Sequence, residues 1–438
     1  MSATPAIEAL QRQRIDTARA QITQGDLQGA MATLNQALQQ HPNDPRVFML
    51  AGLAAEKAGN PPNAVEYLRR CVSLAPEWGL GQLELALLLA RQNQFQEALE
   101  IAEKIATSNP SNLQVLGSVI AVAQRARQLE VTVRYLRRAL ELLPNDAGMR
   151  RLLARNLGDL GEYAPALELW NALIDENPKD TAALLGRTLA LMAQGQPARA
   201  RKDTMALLEL VPGDSIYAYY NVLAHGAQPL QQPAKLIQEL FDAAAAQYDQ
   251  RMLHALQYQL PQQVAKQLIA RYPDKKINVL DLGCGTGLLG VCLGRLDGAL
   301  VGVDISKGMI EQAARHNVYD RFHHVNLLDA LEDTPASLYQ VLAALDVFIY
   351  AGDMSKAIPN ALRILTPGGQ FIFSCEAAPE DGAALVLQPS GRYAHQRSAI
   401  EALCAAAGFA PIEIEDTVLR HENNEPVNGF VVTAHKPA

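Results

Sequence analysis

Proline recurs at positions 42, 76, 110, 144, 178 and 212, each 34 residues after the last. Proline cannot donate a helical hydrogen bond, and it pushes the preceding residue out of the helical region. The first half of the chain is therefore interrupted at a fixed interval. Two further landmarks keep phase. Twelve residues before each proline stands Ala30, Ala64, Ala98, Thr132, Ala166 or Ala200, and seventeen before stands Gly25, Gly59, Asn93, Arg127, Gly161 or Gly195. The glycine position suits a turn between two antiparallel helices. The alanine position lets the second helix approach the first closely, and the proline ends the second helix. Self-similarity of this kind predicts an array of stacked units rather than one globular core.

Period and landmarks together resemble the tetratricopeptide repeat family. The resemblance implies an α-solenoid of six repeats, about 11–44, 45–78, 79–112, 113–146, 147–180 and 181–214. The third and fourth depart most, with Asn93, Arg127 and Thr132 at the landmarks and Ile120 where a small residue is usual. Residues 215–225, SIYAYYNVLAH, read as a helix capping the last repeat, so the first domain is expected over 1–228. The family's groove usually takes a peptide or protein segment. The alternative is an assembly role, as scaffold or homodimer surface.

A second organising stretch is INVLDLGCGTGLLG, residues 277–290, after a Pro- and Gln-rich linker at 226–233. A short apolar run ends at Asp281. Gly283, Gly285 and Gly287 then make a tight turn into a helix start, which lets the backbone approach a ligand. From residue 277 onward strands and helices alternate, which predicts a mostly parallel, doubly wound α/β sheet over 229–438. The fold class is thus α plus α/β. Strands are expected at 299–303, 322–325, 339–344, 370–374, 412–415 and 430–434, with a turn at 366–369.

Gly285 to Gly290 fits the dinucleotide fingerprint, but the acid upstream makes D-x-G-x-G-x-G. That longer string resembles the first motif of class I S-adenosylmethionine-dependent methyltransferases, a family with a Rossmann-like sheet and an antiparallel last strand. The resemblance implies S-adenosylmethionine as cofactor. It places Asp281, Gly283, Cys284 and Gly285 at the methionine end, Asp304 on the ribose hydroxyls, and Ile305 and Met309 against the adenine. Asn326 and Leu327 follow, with Asn326 standing where relatives carry an Asp for the adenine amino group and Asp329 close by. The string Phe241, Ala245, Tyr248, Asp249 resembles a helix that folds over the cofactor, so Tyr248 faces the methionine moiety, lines the acceptor pocket, or packs in the core. The plainer alternative for Cys284 is a small filler, and for Ile305 and Met309 core packing.

On the acceptor side the candidates are Asp346 and Tyr350, after the fourth strand, and His395. Transfer from a sulfonium is an in-line displacement with a neutral leaving group, so the enzyme must align the partners and leave the acceptor unprotonated. The implied function is methyl transfer to a peptide or protein presented by the repeats. The alternatives are a free small molecule, or an adaptor whose cofactor domain is inactive. A net charge of −8 excludes a broad basic nucleic-acid footprint. The five cysteines lack metal or disulfide spacing, and His323 and His324 read as strand residues. With no apolar signal core and no run of membrane-spanning length, a cytoplasmic location is expected.

Overall fold

The computed structural model describes residues 4–438, and the chain divides between Leu210 and Val211 into two compact units. In the first unit the helices pair as Thr4–Gln24 with Leu27–Gln40, Pro45–Lys57 with Pro61–Leu74, and Gly79–Arg91 with Phe95–Ser108. Leu113–Arg125 pairs with Leu129–Leu142, Ala147–Asp159 with Tyr163–Glu176, and Thr181–Ala193 with Arg201–Leu210. Every second helix stops two residues before its proline. Two residues after the proline, Asp44, Asn112, Asp146 and Asp180 each accept a backbone N–H as N-cap of the next helix. Trp78 holds that register without a side-chain cap.

The departures from the repeat landmarks are absorbed. Asn93 and Arg127 take φ of +61° and +54°, the same left-handed turn that Gly161 makes at +79°. Thr132 is fully buried like the alanines, and its Oγ1 donates to Gln128 O at 2.9 Å, so its hydroxyl is satisfied inside its own helix. Ile120 is buried as well.

In the second unit nine strands form one sheet: β1 (Val279–Leu282), β2 (Leu300–Asp304), β3 (Arg321–His324), β4 (Tyr339–Ala344), β5 (Leu365–Ala377), β6 (Leu385–Leu387), β7 (Tyr393–His395), β8 (Ile412–Glu422) and β9 (Glu425–His435). The order runs β3-β2-β1-β4-β5, parallel throughout, and β9 adds to β5 antiparallel with β8 beyond it. Both faces are covered. Leu280, Leu282, Leu342 and Phe371 pack with Ile358, Ile364 and Cys404 on one side. Val279, Val341 and Ile372 pack with Val264, Leu268 and Leu289 on the other. That is why the central strands read as continuous apolar runs.

Several boundaries differ from expectation. β3 begins one residue early. β5 starts at Leu365 and takes in the turn expected at 366–369, with a register shift opposite Tyr339 and Val341. The expected linker at 226–233 is packed onto the sheet edge. Gln228 bonds the backbone of Leu385 and Leu387 at 3.0 Å each, Tyr393 donates to Pro229 O at 2.8 Å, and Asp353 N donates to Leu230 O at 2.9 Å. The helix Ser215–Ala224, expected to cap the repeats, falls in the second unit instead.

Two outcomes follow. Arg127→Gly relieves a left-handed non-glycine residue that costs roughly 1–2 kcal/mol, offset by glycine's larger chain entropy, so urea unfolding should show a net gain of about 0.5 kcal/mol. Gly161→Arg should show a loss of similar size, and equal signs for the two would refute the shared turn. A fragment starting at Gln231 should be less stable than one starting at Val211, because it lacks the bonds of Gln228 and Pro229 to β6 and β7. Equal melting temperatures would refute that anchoring.

Candidate functional site

A cavity of about 580 Å³ opens where the chain leaves β1, β2, β3 and β4. Strand order reverses between β1 and β4, and ligands of open α/β sheets bind in that crevice. The helix Ser215–Ala224 contributes Ser215, Ala218, Tyr219 and Val222 to the wall, and the segment after it contributes Pro229 and residues 231–234.

The β1 turn is held by backbone bonds. Gly283, at φ +68°, donates its N–H to Val303 O at 2.7 Å, and a Cβ there would run into Val347. Gly285 donates to Asp304 Oδ2 at 2.8 Å, and Ser306 N donates to Oδ1 at 2.8 Å. Burial raises the Asp304 carboxyl, while the N–H groups of Ser306, Gly285 and Ile305 lower it. Asp304, Ile305, Met309, Asn326 and Leu327 all line the cavity with Gly283, Gly285 and Tyr248.

Asp281 and Cys284 do not line it. They face a separate pocket of about 40 Å³. Asp281 Oδ2 accepts the Tyr319 hydroxyl at 2.6 Å, and that hydroxyl accepts Gly290 N–H at 3.2 Å. The Cys284 thiol is buried, which pushes it well up and makes it a filler rather than a nucleophile. Asn326 lines the cavity and also caps a helix. Its Oδ1 accepts Leu328 N–H at 2.8 Å as cap of the helix Leu327–Asp333, which leaves that oxygen one lone pair. Asp329 lines the cavity beside it.

Beyond β4, Asp346 sits at φ +57° with its N–H donated to Ser374 Oγ at 2.8 Å. Its Oδ2 pairs with Arg420 Nη1 at 2.7 Å, while Oδ1 has no partner among the described residues. Arg420, 3 % exposed, also holds Glu376 and Glu422, the latter at 2.9 Å. Arg392 bonds the same two glutamates at 2.8 and 2.7 Å. Burial raises the Asp346 carboxyl, Arg420 lowers it and Glu376 raises it. Tyr350 lines the cavity and meets the Phe241 ring edge-on at 5.1 Å; Phe241 meets Tyr248 at 6.2 Å.

His395 is corrected. It does not line the cavity. Its Nε2 donates to Gly352 O at 2.7 Å, and burial lowers its pKa, so it is a neutral residue fastening β7 to the loop at 352. Sequence reading missed Asp242, whose Oδ1 accepts Ser306 Oγ at 2.6 Å and Gly308 N at 3.0 Å. It also missed Tyr319 and the partners of Arg420. Asp242 lies one residue past Phe241 of the recognised string, so position was a usable signal. Arg420 lies 74 residues from Asp346, and no spacing rule links them.

Asp281 gives a pH prediction. Burial, the largest cause, lifts it to about 7 from the ordinary 3.8, against the lowering bond from Tyr319 and with Asp304 adding to the rise. The folded chain therefore favours the protonated acid. That stability is present below the unfolded pKa, near 4, and is lost as pH rises toward 7. Asp281→Asn removes the loss, on the order of a few kcal/mol. Urea unfolding between pH 4.5 and 8 should show the variant gaining on the native chain as pH rises. A gap that stays constant would place Asp281 at an ordinary carboxylate pKa.

Comparison with known proteins agrees with this architecture. A family model described as methyltransferase domain matches residues 280–371. A tetratricopeptide repeat model matches 15–77, 49–112 and 151–215. The ubiquinone biosynthesis O-methyltransferase of Proteus mirabilis is 27% identical over 99 residues, 22% of this chain and 40% of its own length. Trans-aconitate 2-methyltransferase of Pseudomonas aeruginosa is 40% identical over 93 residues, 21% of this chain and 33% of its own. The chain thus spans less than half the length of these curated relatives. Among solved structures, magnesium protoporphyrin IX methyltransferase from Synechocystis PCC 6803 with bound SAM is 19% identical, covers 46% of this chain and 96% of its own, and has a TM-score of 0.36. One chain thus carries both tetratricopeptide repeats and a methyltransferase domain.

Proposed function

We propose that the second unit is an S-adenosylmethionine-dependent methyltransferase whose cavity holds cofactor at the β1–β3 end and acceptor at the β4 end. One observation carries this reading: a single cavity joins the side-chain-free turn at Gly283 and Gly285 to Asp304, Met309 and Asn326, and continues past Asp346 and Tyr350. Its volume is within the roughly 300–1,000 Å³ of ligand sites. The residues fit the cofactor. The glycine turn offers open backbone. Each Asp304 oxygen accepts one N–H and keeps a lone pair for a ribose hydroxyl. Ile305 and Met309 give an apolar wall, and Asn326 Oδ1, which keeps a lone pair, and Asp329 are the acceptors available to the amino group. When bound, the sulfonium supplies an electrophilic methyl group and a neutral leaving group. The chain's part is to exclude water, hold the acceptor in line, and take its proton.

A compact acceptor fits this cavity best, because the Ser215–Ala224 helix, Pro229 and residues 231–234 wall it within the same unit. The names of the relatives, a ubiquinone-biosynthesis enzyme and a trans-aconitate enzyme, support a small molecule too. The tetratricopeptide repeats support a second reading, a peptide or protein acceptor held in their groove. Incubation with methyl-labelled cofactor and cell lysate separates the two. Label in the small-molecule fraction supports the first, and label in macromolecules the second.

Calorimetry should show S-adenosylmethionine and its demethylated product binding, with nicotinamide dinucleotide silent. Asp304→Ala should weaken both by about 1–3 kcal/mol, since it strips acceptors from a buried site. Binding of the dinucleotide with no response to the methyl donor would sink the reading.

A further inference from the structure

Charge in the cavity is one-sided. Asp304, Asp329 and Asp346 line it, and among the described residues no Lys, Arg or His does. The wall itself offers an anionic acceptor no cation, and its carboxylates oppose one at a cost that low-dielectric surroundings magnify.

Asp346 differs from the other two carboxylates in position and bonding. Asp304 and Asp329 follow β2 and β3, whereas Asp346 follows β4, across β1 from the expected cofactor contacts. Its side chain is 9% exposed, Oδ2 is fixed by Arg420, and Oδ1 is unpartnered. Arg420 does not neutralise it alone. Asp346, Glu376 and Glu422 share two guanidinium groups, Arg392 and Arg420, so the cluster keeps one excess negative charge. A buried carboxylate oxygen without a donor is costly unless a ligand supplies one. Aromatic rings line the same cavity: Tyr219, Phe241, Tyr248 and Tyr350. Ring faces beside a carboxylate favour an ammonium group.

We propose that the acceptor is an amine on an apolar body, bound as its ammonium against the Asp346 carboxylate among these rings, and methylated on that nitrogen. The inference rests on the methyl-donor reading above. Asp346 takes one proton from the ammonium. The freed lone pair forms the N–C bond, and the electron pair of the breaking C–S bond returns to sulfur as a neutral thioether. The product leaves as a methylated ammonium, and the carboxyl proton passes to water. Burial lifts the Asp346 carboxyl above the ordinary range, which improves it as a proton acceptor. Arg420 is the positioning residue that holds Oδ2 and fixes the orientation of the carboxylate.

The test uses the full chain and a near-isosteric pair of opposite charge. S-Adenosylhomocysteine is titrated first, then 2-phenylethylamine and 3-phenylpropionate into the saturated protein. The amine should bind at least about tenfold more tightly than the carboxylate, since like charges oppose the latter. Asp346→Asn should abolish that preference and leave the affinities for S-adenosylmethionine and S-adenosylhomocysteine unchanged. Equal or tighter binding of the carboxylate overturns the proposal, as does silence from both probes or an Asn variant that keeps the preference. An Asn variant that loses S-adenosylmethionine but not S-adenosylhomocysteine also overturns it, because the carboxylate then serves the sulfonium. The native pair of titrations decides the matter even where the variant does not fold. S-Adenosylhomocysteine failing to bind the native chain overturns this proposal together with the methyl-donor reading, and the first titration shows that separately.

Discussion

A buried carboxylate with no cation beside it must be satisfied by N–H and O–H groups, and Asp304 turns that requirement into the frame of the site. One oxygen takes Gly285 N–H from the β1 turn, and the other takes Ser306 N–H from the β2 exit. Ser306 Oγ caps the helix Lys307–Ala314 through Met309 N–H and donates to Asp242. Asp242 lies on the helix Ala234–Ala244 and also accepts Gly308 N–H. Two strand ends and two helices are thus tied through three short polar side chains. That helix has no fully buried residue. Asp242 and the Phe241 ring contacts hold it over the cavity, together with the half-buried Leu236 and Ile237.

The β4 end is built on the opposite principle. There the charges are paired, across residues as far apart as Asp346, Glu376 and Arg420. A buried ion-pair cluster gains little net stability against an apolar filling, but breaking one member is costly. It fixes geometry. Asp346 is also held in a left-handed backbone state that a non-glycine residue adopts at a cost of order 1–3 kcal/mol. The packing around it, with Ser374 on its N–H and Arg420 on its Oδ2, holds that conformation. The result is a carboxylate with one oxygen committed and the other left over.

What could be read from sequence follows from the range of the interactions. The repeats were legible because each landmark acts within one unit: proline on its own helix, glycine on its own turn. The β1 turn was legible because Asp281 to Gly287 is one contiguous string. Even so, the string did not show that Asp281 turns away from the cavity toward Tyr319, 38 residues on. His395 has the composition of a base but the surroundings of a structural residue, and only the carbonyl of Gly352 reveals that. Asn326 looked like a substitute for a carboxylate acceptor. The next helix takes one lone pair of its oxygen, and asparagine's strength as a cap was the signal available.

The helix Ser215–Ala224 shows how a periodic signal can be right locally and misleading about domain membership. Asp214 stands 34 residues after Asp180 and caps its helix in the same way. Local chemistry therefore specifies the first helix of a further repeat. Membership in a domain is decided by what the exposed face then packs on, which the cap does not encode. Here Tyr219 and Val222 line the cavity with Phe241 and Tyr350. An element written in the grammar of the repeats thereby becomes a wall of the cavity.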